Sequence, residues 1–198
     1  MPPVSAPDPS INAAAVARLL AERLDSQGIE YALGGAIALG YWGLPRATVD
    51  VDVTLYLPAE QPSECVWLLK DLGCEFSATK AVESLREHGF CRVMYAGLDV
   101  DVFLPIVPFY EAARVRRKRV PLAEQPVMIW DAETLAVFKM MFFRRKDLAD
   151  VEQILRTQGA GFDCAWVRQQ LAEMYGVHDP RLVEWDTLVQ ETMLERHD

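Results

Sequence analysis

Two patterns of apolar residues divide the chain into a first part rich in strands and a last part made of helices. Up to Trp130, several short runs of β-branched and aliphatic residues alternate with polar residues, which is typical of strands. After Trp130 the apolar residues recur every three or four positions, which is typical of amphipathic helices. The pattern therefore predicts an α+β fold, with a mixed β-sheet flanked by helices and a helical C-terminal part.

The first part begins with an amphipathic helix. Ser10 is a typical N-cap residue, so a helix is expected over 11–25, and Gly28 ends it. The pattern then predicts a strand at 30–33, a glycine turn at 34–35, a short helix at 36–41, a strand at 49–57, a helix at 60–72, a hairpin of strands at 90–96 and 98–104, a helix at 109–114, and two short strands ending at Trp130. Four helices follow at 132–144, 146–157, 163–174 and 180–196, the first capped by Asp131.

These elements group into three segments. Residues 1–10 are rich in proline and have neither a basic start nor an apolar core, so they are predicted to be a flexible leader and not a signal peptide. Residues 11–130 are predicted to form an α+β domain, and residues 131–198 a helical C-terminal domain.

Composition narrows the class of protein. The formal charge of −9 disfavours stable binding of long nucleic acid, because such binding needs a basic surface. The four cysteines form no C-x-x-C pair, which fits reduced thiols and a cytoplasmic location. No uncharged run is long enough to span a bilayer, so no membrane association is expected.

The strand at 49–57 carries the first candidate chemistry. Successive side chains alternate between the faces of a strand, so Asp50 and Asp52 project together from one side. The opposite, buried side is expected to carry Val49, Val51, Val53, Leu55 and Leu57. Two adjacent carboxylates repel each other unless a cation lies between them, and Mg²⁺ commonly bridges such carboxylates to substrate phosphates.

A second Asp-x-Asp pair follows on the later strand of the hairpin. Asp99 and Asp101 lie on the same face, so both are candidates for a third carboxylate. The apolar surroundings of Asp101 favour Asp101 over Asp99. If this strand lies beside Asp50 and Asp52, three carboxylates can hold two cations about 3.5–4 Å apart.

The Gly34-Gly35 turn fits a phosphate-binding role. Glycine lets the backbone approach a ligand closely, and the helix after it presents free N–H groups and its positive dipole end. A Gly-Gly pair alone is more often an ordinary turn. Its combination with Arg46, Thr48 and two Asp-x-Asp pairs favours a functional site.

These motifs resemble the nucleotidyltransferase superfamily that includes DNA polymerase beta. The resemblance rests on Gly34-Gly35, on the segment from Arg46 to Asp52 and on Asp101, and it covers about two thirds of the chain. The segment from Lys139 to Asp150 also resembles the helices of a branch that contains abortive-infection toxin type nucleotidyltransferases and related uncharacterised proteins.

The resemblance implies a function and a role for each matched residue. The implied reaction moves a nucleoside monophosphate from a nucleoside triphosphate such as ATP to a hydroxyl, with Mg²⁺ as cofactor, as one ion or two. Asp50, Asp52 and Asp101 would be the catalytic carboxylates and metal ligands. The nucleotide-binding residues would be Gly34, Gly35, Arg46, Thr48, Lys139, Lys146, Asp147 and Asp150.

Several alternatives stay open. The hydroxyl acceptor can be RNA, a protein or a small molecule. The chain can also be a non-catalytic nucleotide- or protein-binding member of the fold, such as an antitoxin-like subunit, or a carboxylate-metal phosphohydrolase. A homodimer and a partner protein are both compatible with the sequence. Lys139 and the acids near it can form an ordinary ion-paired helix face, and the basic segment 114–119 is better explained as a solvated surface than as a ligand site.

Overall fold

A mixed six-stranded sheet lies at the centre of the molecule. The computed structural model describes the backbone of residues 12–194 and the side chains of residues 12–192. The strands are β1 (Tyr31–Leu33), β2 (Asp50–Leu55), β3 (Phe90–Tyr95), β4 (Leu98–Phe103), β5 (Lys118–Leu122) and β6 (Gln125–Ile129), and their order in the sheet is β3-β4-β2-β1-β6-β5. The predicted α+β class and mixed sheet are confirmed.

Helices cover the sheet and form the last part of the described chain. They are α1 (Ala13–Ser26), α2 (Gly35–Trp42), α3 (Pro62–Asp71), α4 (Ala78–His88), α5 (Phe109–Arg116), α6 (Ala132–Phe142), α7 (Arg145–Gln158), α8 (Cys164–Tyr175) and α9 (Pro180–Leu194), with a 3₁₀ turn at Gly159–Gly161. Within residues 12–194, only helical elements follow β6.

β2 lies in the interior of the sheet, between β1 and β4. β2 is antiparallel to β1 and parallel to β4. β3 and β4 form the predicted hairpin, and the two residues of its turn, Ala96 and Gly97, have φ values of 49° and 84°. Two positive φ angles in a two-residue loop match the twist of the strands, so the turn also fixes the register of the hairpin.

The sequence predicted the N-cap residue of α6 correctly and that of α1 incorrectly. Asp131 caps α6 as predicted, because its carboxylate accepts a hydrogen bond of 2.9 Å from the backbone N–H of Thr134. The prediction that Ser10 caps the first helix is wrong: α1 begins at Ala13, and the side chain of Asn12 is its cap. Ser10 and the predicted leader at residues 1–10 lie outside the described residues.

The core joins the sheet to the helical part through aromatic rings. Trp130 and Phe138 stack with ring centroids 3.8 Å apart, and both side chains are buried. Phe138 of α6 therefore belongs to the core, whereas Phe142 of the same helix is 49% exposed. Val49 was also predicted to be buried, but it precedes β2 and is 82% exposed, because the strand starts one residue later.

The basic segment 114–119 is largely neutralised by neighbouring carboxylates. Arg114 and Arg117 form ion pairs with Glu30 at 2.6 and 2.8 Å, and Arg116 lies 2.8 Å from Asp131. These arginines therefore stabilise the contact of α5 with the sheet and with α6. A membrane-spanning helix would need a longer apolar stretch than any helix in residues 12–194 provides.

Candidate active site

Parallel pairing of β2 with β4 brings the two Asp-x-Asp pairs side by side. Asp50 lies opposite Asp99, and Asp52 lies opposite Asp101. Asp50, Asp52 and Asp101 line one cavity of about 160 Å³, the first cavity, and Asp99 is not among the residues that line it. Asp101 is 8% exposed, whereas the side chain of Asp99 is 48% exposed. The arrangement therefore separates two acids that the sequence left as alternatives.

The surroundings of Asp52 disfavour the charged form of its carboxylate. Burial, together with repulsion from Asp50 and Asp101, raises its pKa from 3.8 to about 6, and the charges of Lys139 and Lys146 only partly oppose this rise. In the described part of the chain, no side chain forms an ion pair with Asp52. The negative charge concentrated there is the kind that a bound cation would stabilise.

The glycine turn is built against Asp52. Gly35 is the first residue of α2 and has φ +50°, and a β carbon at this position would lie 1.7 Å from Oδ2 of Asp52. The backbone N–H of Gly34 donates a 2.9 Å hydrogen bond to the carbonyl of Asp52, and a β carbon on Gly34 would lie 2.7 Å from the Trp130 ring. Both positions therefore exclude a side chain, and the start of α2 faces the carboxylates.

Thr48 and Arg46 lie on the segment that leads into β2. The Thr48 hydroxyl donates a short hydrogen bond to Oδ1 of Asp50 and so orients that carboxylate. The Arg46 guanidinium lies 3.3 Å from Oδ2 of Asp150 on α7, and both Arg46 and Thr48 line the first cavity. The segment before β2 is thereby tied to the helical part of the molecule.

Lys139 lines the first cavity, but its ammonium group is already paired. Its Nζ lies 2.5 Å from Oδ2 of Asp150 and 3.6 Å from Oδ1 of Asp147, and all three side chains are buried. Burial opposes the charge of Asp147, yet hydrogen bonds from Arg144 and the charge of Lys139 hold its pKa below the usual value. Asp150 takes one of the three ammonium N–H donors of Lys139, so the predicted contact of Lys139 with phosphate would be made by the other donors.

Lys146 differs from Lys139. It lies at the start of α7, it is exposed, and it lines the first cavity. No carboxylate among residues 12–192 forms an ion pair with Lys146, although its charge reaches Asp52. It is therefore available to contact an anion in the cavity.

Arg92 is the principal site residue that the sequence reasoning missed. Its guanidinium donates to both oxygens of Asp101, at 2.6 and 2.8 Å, and also lies 3.7 Å from Asp99. The signal was present in the hairpin: a two-residue turn at Ala96-Gly97 places Arg92 directly opposite Asp101.

Arg144 and a set of aromatic rings were also missed. Arg144 lies 2.6 Å from Asp147 and lines the first cavity. The aromatic rings of the same cavity come from three elements and from the segment between β6 and α6, so no local sequence pattern brings them together. They are Phe103, Tyr110, Trp130, Phe138 and Phe142.

The chemistry of the carboxylates shows which of them fit a metal ion. No group of three His, Cys, Asp or Glu side chains in the described residues is placed to hold a metal ion. Both oxygens of Asp101 accept hydrogen bonds from Arg92, so a metal ion at Asp101 would have to share the carboxylate with this arginine. Asp50 and Asp52 still fit one Mg²⁺, which typically takes one or two protein carboxylates and fills its other positions with water and phosphate oxygens.

Comparison with solved structures identifies the fold. No protein-family model matches the chain, and no curated protein sequence matches it either. A crystal structure of ANT(2'')-Ia in complex with adenylyl-2''-tobramycin matches with a TM-score of 0.56 at 14% identity, over 82% of this chain and 98% of that chain. A solution structure of the same antibiotic-resistance factor matches with a TM-score of 0.53 at 12% identity, over 93% of this chain and 95% of that chain.

A third match is a crystal structure of another protein. An antigenic nucleotidyltransferase-like protein from Paracoccidioides brasiliensis has a TM-score of 0.50 at 18% identity, over 90% of this chain and 95% of that chain. All three matches cover more than four fifths of this chain. The resemblance read from Gly34-Gly35 and the Asp-x-Asp pairs is confirmed at the level of the fold: the chain has the nucleotidyltransferase fold.

Proposed function

We propose that the chain is a Mg²⁺-dependent nucleotidyltransferase that moves a nucleoside monophosphate from a nucleoside triphosphate to a hydroxyl acceptor. One observation carries the proposal: Asp50 and Asp52 project from β2 into a cavity whose wall is the glycine turn, with Gly35 packed against Asp52. An ordinary strand face would not need a glycine at this contact. The fold shared with nucleotidyltransferase structures supports the same function.

The metal would be held by Asp50 and Asp52. Thr48 orients Asp50, and the charge concentrated at Asp52 makes the pair favourable for a divalent cation. When bound, Mg²⁺ supplies positive charge that stabilises the phosphate oxygens. Asp101 stays beside this pair, held in position by Arg92.

The phosphates would lie between the glycine turn and α7. Backbone N–H groups at the start of α2 are suited to phosphate oxygens, and Lys146 is an exposed cation of the same cavity with no ion-pair partner among residues 12–192. Arg46 and Thr48 form another part of the wall of the first cavity. We assign Lys139, Asp147 and Asp150 to holding α6 against α7, so that Lys146 and Arg46 keep their places around the cavity.

The chemical step is a displacement at the α-phosphorus. The acceptor oxygen forms a bond to that phosphorus, and the bond from phosphorus to the oxygen that bridges the α- and β-phosphates breaks. Pyrophosphate leaves with the electron pair. The acceptor proton passes to Asp101, whose oxygens retain lone pairs beyond those that accept from Arg92.

Transfer of label from α-labelled ATP tests this function. Purified protein is incubated with Mg²⁺, labelled ATP and a cell extract that supplies acceptors, and both labelled product and pyrophosphate are measured. We expect both with the wild-type chain and neither with Asp50→Ala/Asp52→Ala. Asp99→Ala is the matched control, because Asp99 does not line the cavity, and it should keep the activity. Release of orthophosphate with no labelled product would instead indicate a phosphohydrolase.

A second candidate is a non-catalytic nucleotide-binding member of the fold. The observation that favours it is the Arg92–Asp101 pair, which occupies both oxygens of the third carboxylate. This candidate predicts that ATP and Mg²⁺ bind with no release of pyrophosphate under any acceptor condition.

Three statements made from the sequence remain predictions. They are membership of the abortive-infection branch, the homodimer or partner protein, and the domain boundary near residue 130.

We place the protein in a reducing cytoplasm, supported by Cys65 and Cys91, which are buried thiols. Burial raises the pKa of each thiol to about 12.

A further inference from the structure

A second cavity opens from the carboxylates on the side away from the glycine turn. It has a volume of about 510 Å³, within the range of small-molecule sites. The two cavities share Asp52, Arg92 and Asp101, so they meet where the transfer step is proposed to occur. Gly35, Thr48 and Lys146 line only the first cavity, which leaves the second free of the groups proposed to hold the triphosphate.

The wall of the second cavity beyond the carboxylates is mostly apolar. Residues that line the second cavity and not the first include Phe90, Ile106, Val107, Met141 and Tyr175. Ile106 is 51% exposed and Phe142, at the junction of the two cavities, is 49% exposed. Apolar side chains left in water around a concave site gain free energy when an apolar ligand covers them.

The charges of the second cavity do not favour a cationic ligand. Its only carboxylates among the described residues are Asp52 and Asp101 at the inner end, and Asp101 is already paired with Arg92. The remaining lining residues that can carry a positive charge are Arg144, which is paired with Asp147, and His88. A ligand with several ammonium groups would find arginines and apolar rings along this wall, and the unpaired carboxylate at its inner end, Asp52, is assigned to the metal.

We propose that the second cavity receives the acceptor, and that the acceptor is an uncharged small molecule with an aromatic or alicyclic scaffold and at least one hydroxyl. This inference rests on the proposed function and narrows it. The scaffold lies against Phe90, Ile106 and Val107, and the hydroxyl reaches the junction at Asp52 and Asp101. There its oxygen bonds to the α-phosphorus, pyrophosphate departs with the electron pair, and the proton passes to Asp101.

Binding of a neutral aromatic alcohol tests the acceptor class apart from the nucleotide. Calorimetry measures naphthylethanol and, separately, the polycation kanamycin, each against protein saturated with Mg²⁺ and a non-hydrolysable ATP analogue. We expect naphthylethanol to bind at least about tenfold more tightly than kanamycin. Ile106→Glu should weaken naphthylethanol binding by about tenfold, because it places a charge against the apolar scaffold. Val115→Glu, at an apolar residue that is 83% exposed and lies outside the cavity, should not change it.

The outcomes separate the two proposals. Tighter binding of kanamycin, or an Ile106→Glu variant that binds naphthylethanol like the wild type, would overturn the acceptor class while binding of the ATP analogue still supports nucleotidyl transfer. Absence of Mg²⁺-dependent binding of the analogue would overturn both. Transfer of label from α-labelled ATP to naphthylethanol, reduced in Ile106→Glu and unchanged in Val115→Glu, would support both.

Discussion

The contact between Gly35 and Asp52 links the glycine turn to the candidate chemistry. A methyl group at residue 35 would overlap the Asp52 carboxylate, and the positive φ angle adds a cost of its own. The turn and the acid therefore fit together only as a pair. This geometry explains why a Gly-Gly dipeptide, weak evidence by itself, accompanies Asp50 and Asp52 in the sequence.

Gly35→Ala should disturb the site and the fold together. We expect the free energy of unfolding to fall by about 2 kcal/mol, from the left-handed conformation and the displaced carboxylate. Binding of Mg²⁺ and ATP should weaken at least tenfold. Urea unfolding and calorimetry measure the two effects.

Gly40→Ala is the control for this substitution. Gly40 lies in the same helix, α2, and nothing is within 4 Å of an added β carbon. Alanine there should raise stability by about 0.5–1 kcal/mol and leave binding unchanged. Equal behaviour of the two variants would contradict the account of Gly35.

At the scale of elements, register decides which residues meet. The sequence predicted the hairpin of β3 and β4 and the neighbouring position of the two Asp-x-Asp pairs. It did not predict Arg92 as a site residue, because one glycine does not fix a turn type, and only the positive φ angles at Ala96 and Gly97 settle the pairing. The burial of Val49 was mispredicted for a related reason: alternation along a strand cannot show where the strand starts.

The contact between α6 and α7 depends on a buried ion-pair network. Lys139→Met should lower the free energy of unfolding by about 2–3 kcal/mol, because Asp150 and Asp147 lose a buried partner. Arg46 and Arg144 still pair with these acids and limit the loss. Adding Asp150→Asn to the variant should restore part of the stability in urea unfolding at pH 7.

Lys70→Met serves as the comparison for this network. Lys70 is an exposed lysine at the end of α3, so its replacement should change stability by less than about 0.5 kcal/mol. A Lys139→Met variant as stable as Lys70→Met would show that the buried pairs do not hold α6 against α7.

The contact of α5 with the sheet should weaken at acid pH, when Glu30 becomes protonated. The hydrogen bond from Arg114, with the charge of Arg117, lowers the pKa of Glu30 from 4.5 to about 2. A group with a lower pKa in the folded state stabilises the fold above its unfolded pKa, so this contribution is present above pH 4.5 and lost as the pH falls toward 2.

Replacing Glu30 tests that dependence. Because the side chain is 45% exposed, the contribution should be at most about 1 kcal/mol. Glu30→Gln should be less stable than the wild type at pH 7, and the difference should shrink between pH 4.5 and 2.5 in urea unfolding. Glu111→Gln, which removes a 71% exposed partner of the same Arg114, should have a smaller effect at every pH. A Glu30→Gln difference that stays constant with pH would contradict the assignment.

At the scale of the molecule, the sequence predicted the class of fold, and the packing of distant elements determined the site. The periods of apolar residues and the motifs around Gly35, Asp50 and Asp52 were sufficient to predict the nucleotidyltransferase fold. The second cavity was not predictable, because Phe90, Ile106 and Tyr175 come from separate elements with no shared pattern. The pairing of Lys139 with Asp150 likewise depends on how α6 and α7 pack.

The most direct test of the central claim is calorimetry of ATP binding with Mg²⁺ and with a chelator, for the wild-type chain and for Asp50→Ala/Asp52→Ala. We predict that the wild type binds ATP at least tenfold more tightly with Mg²⁺, and that the double variant loses this difference. A wild-type affinity for ATP that is the same with Mg²⁺ and with the chelator would contradict the assignment of Asp50 and Asp52 as the metal-binding pair.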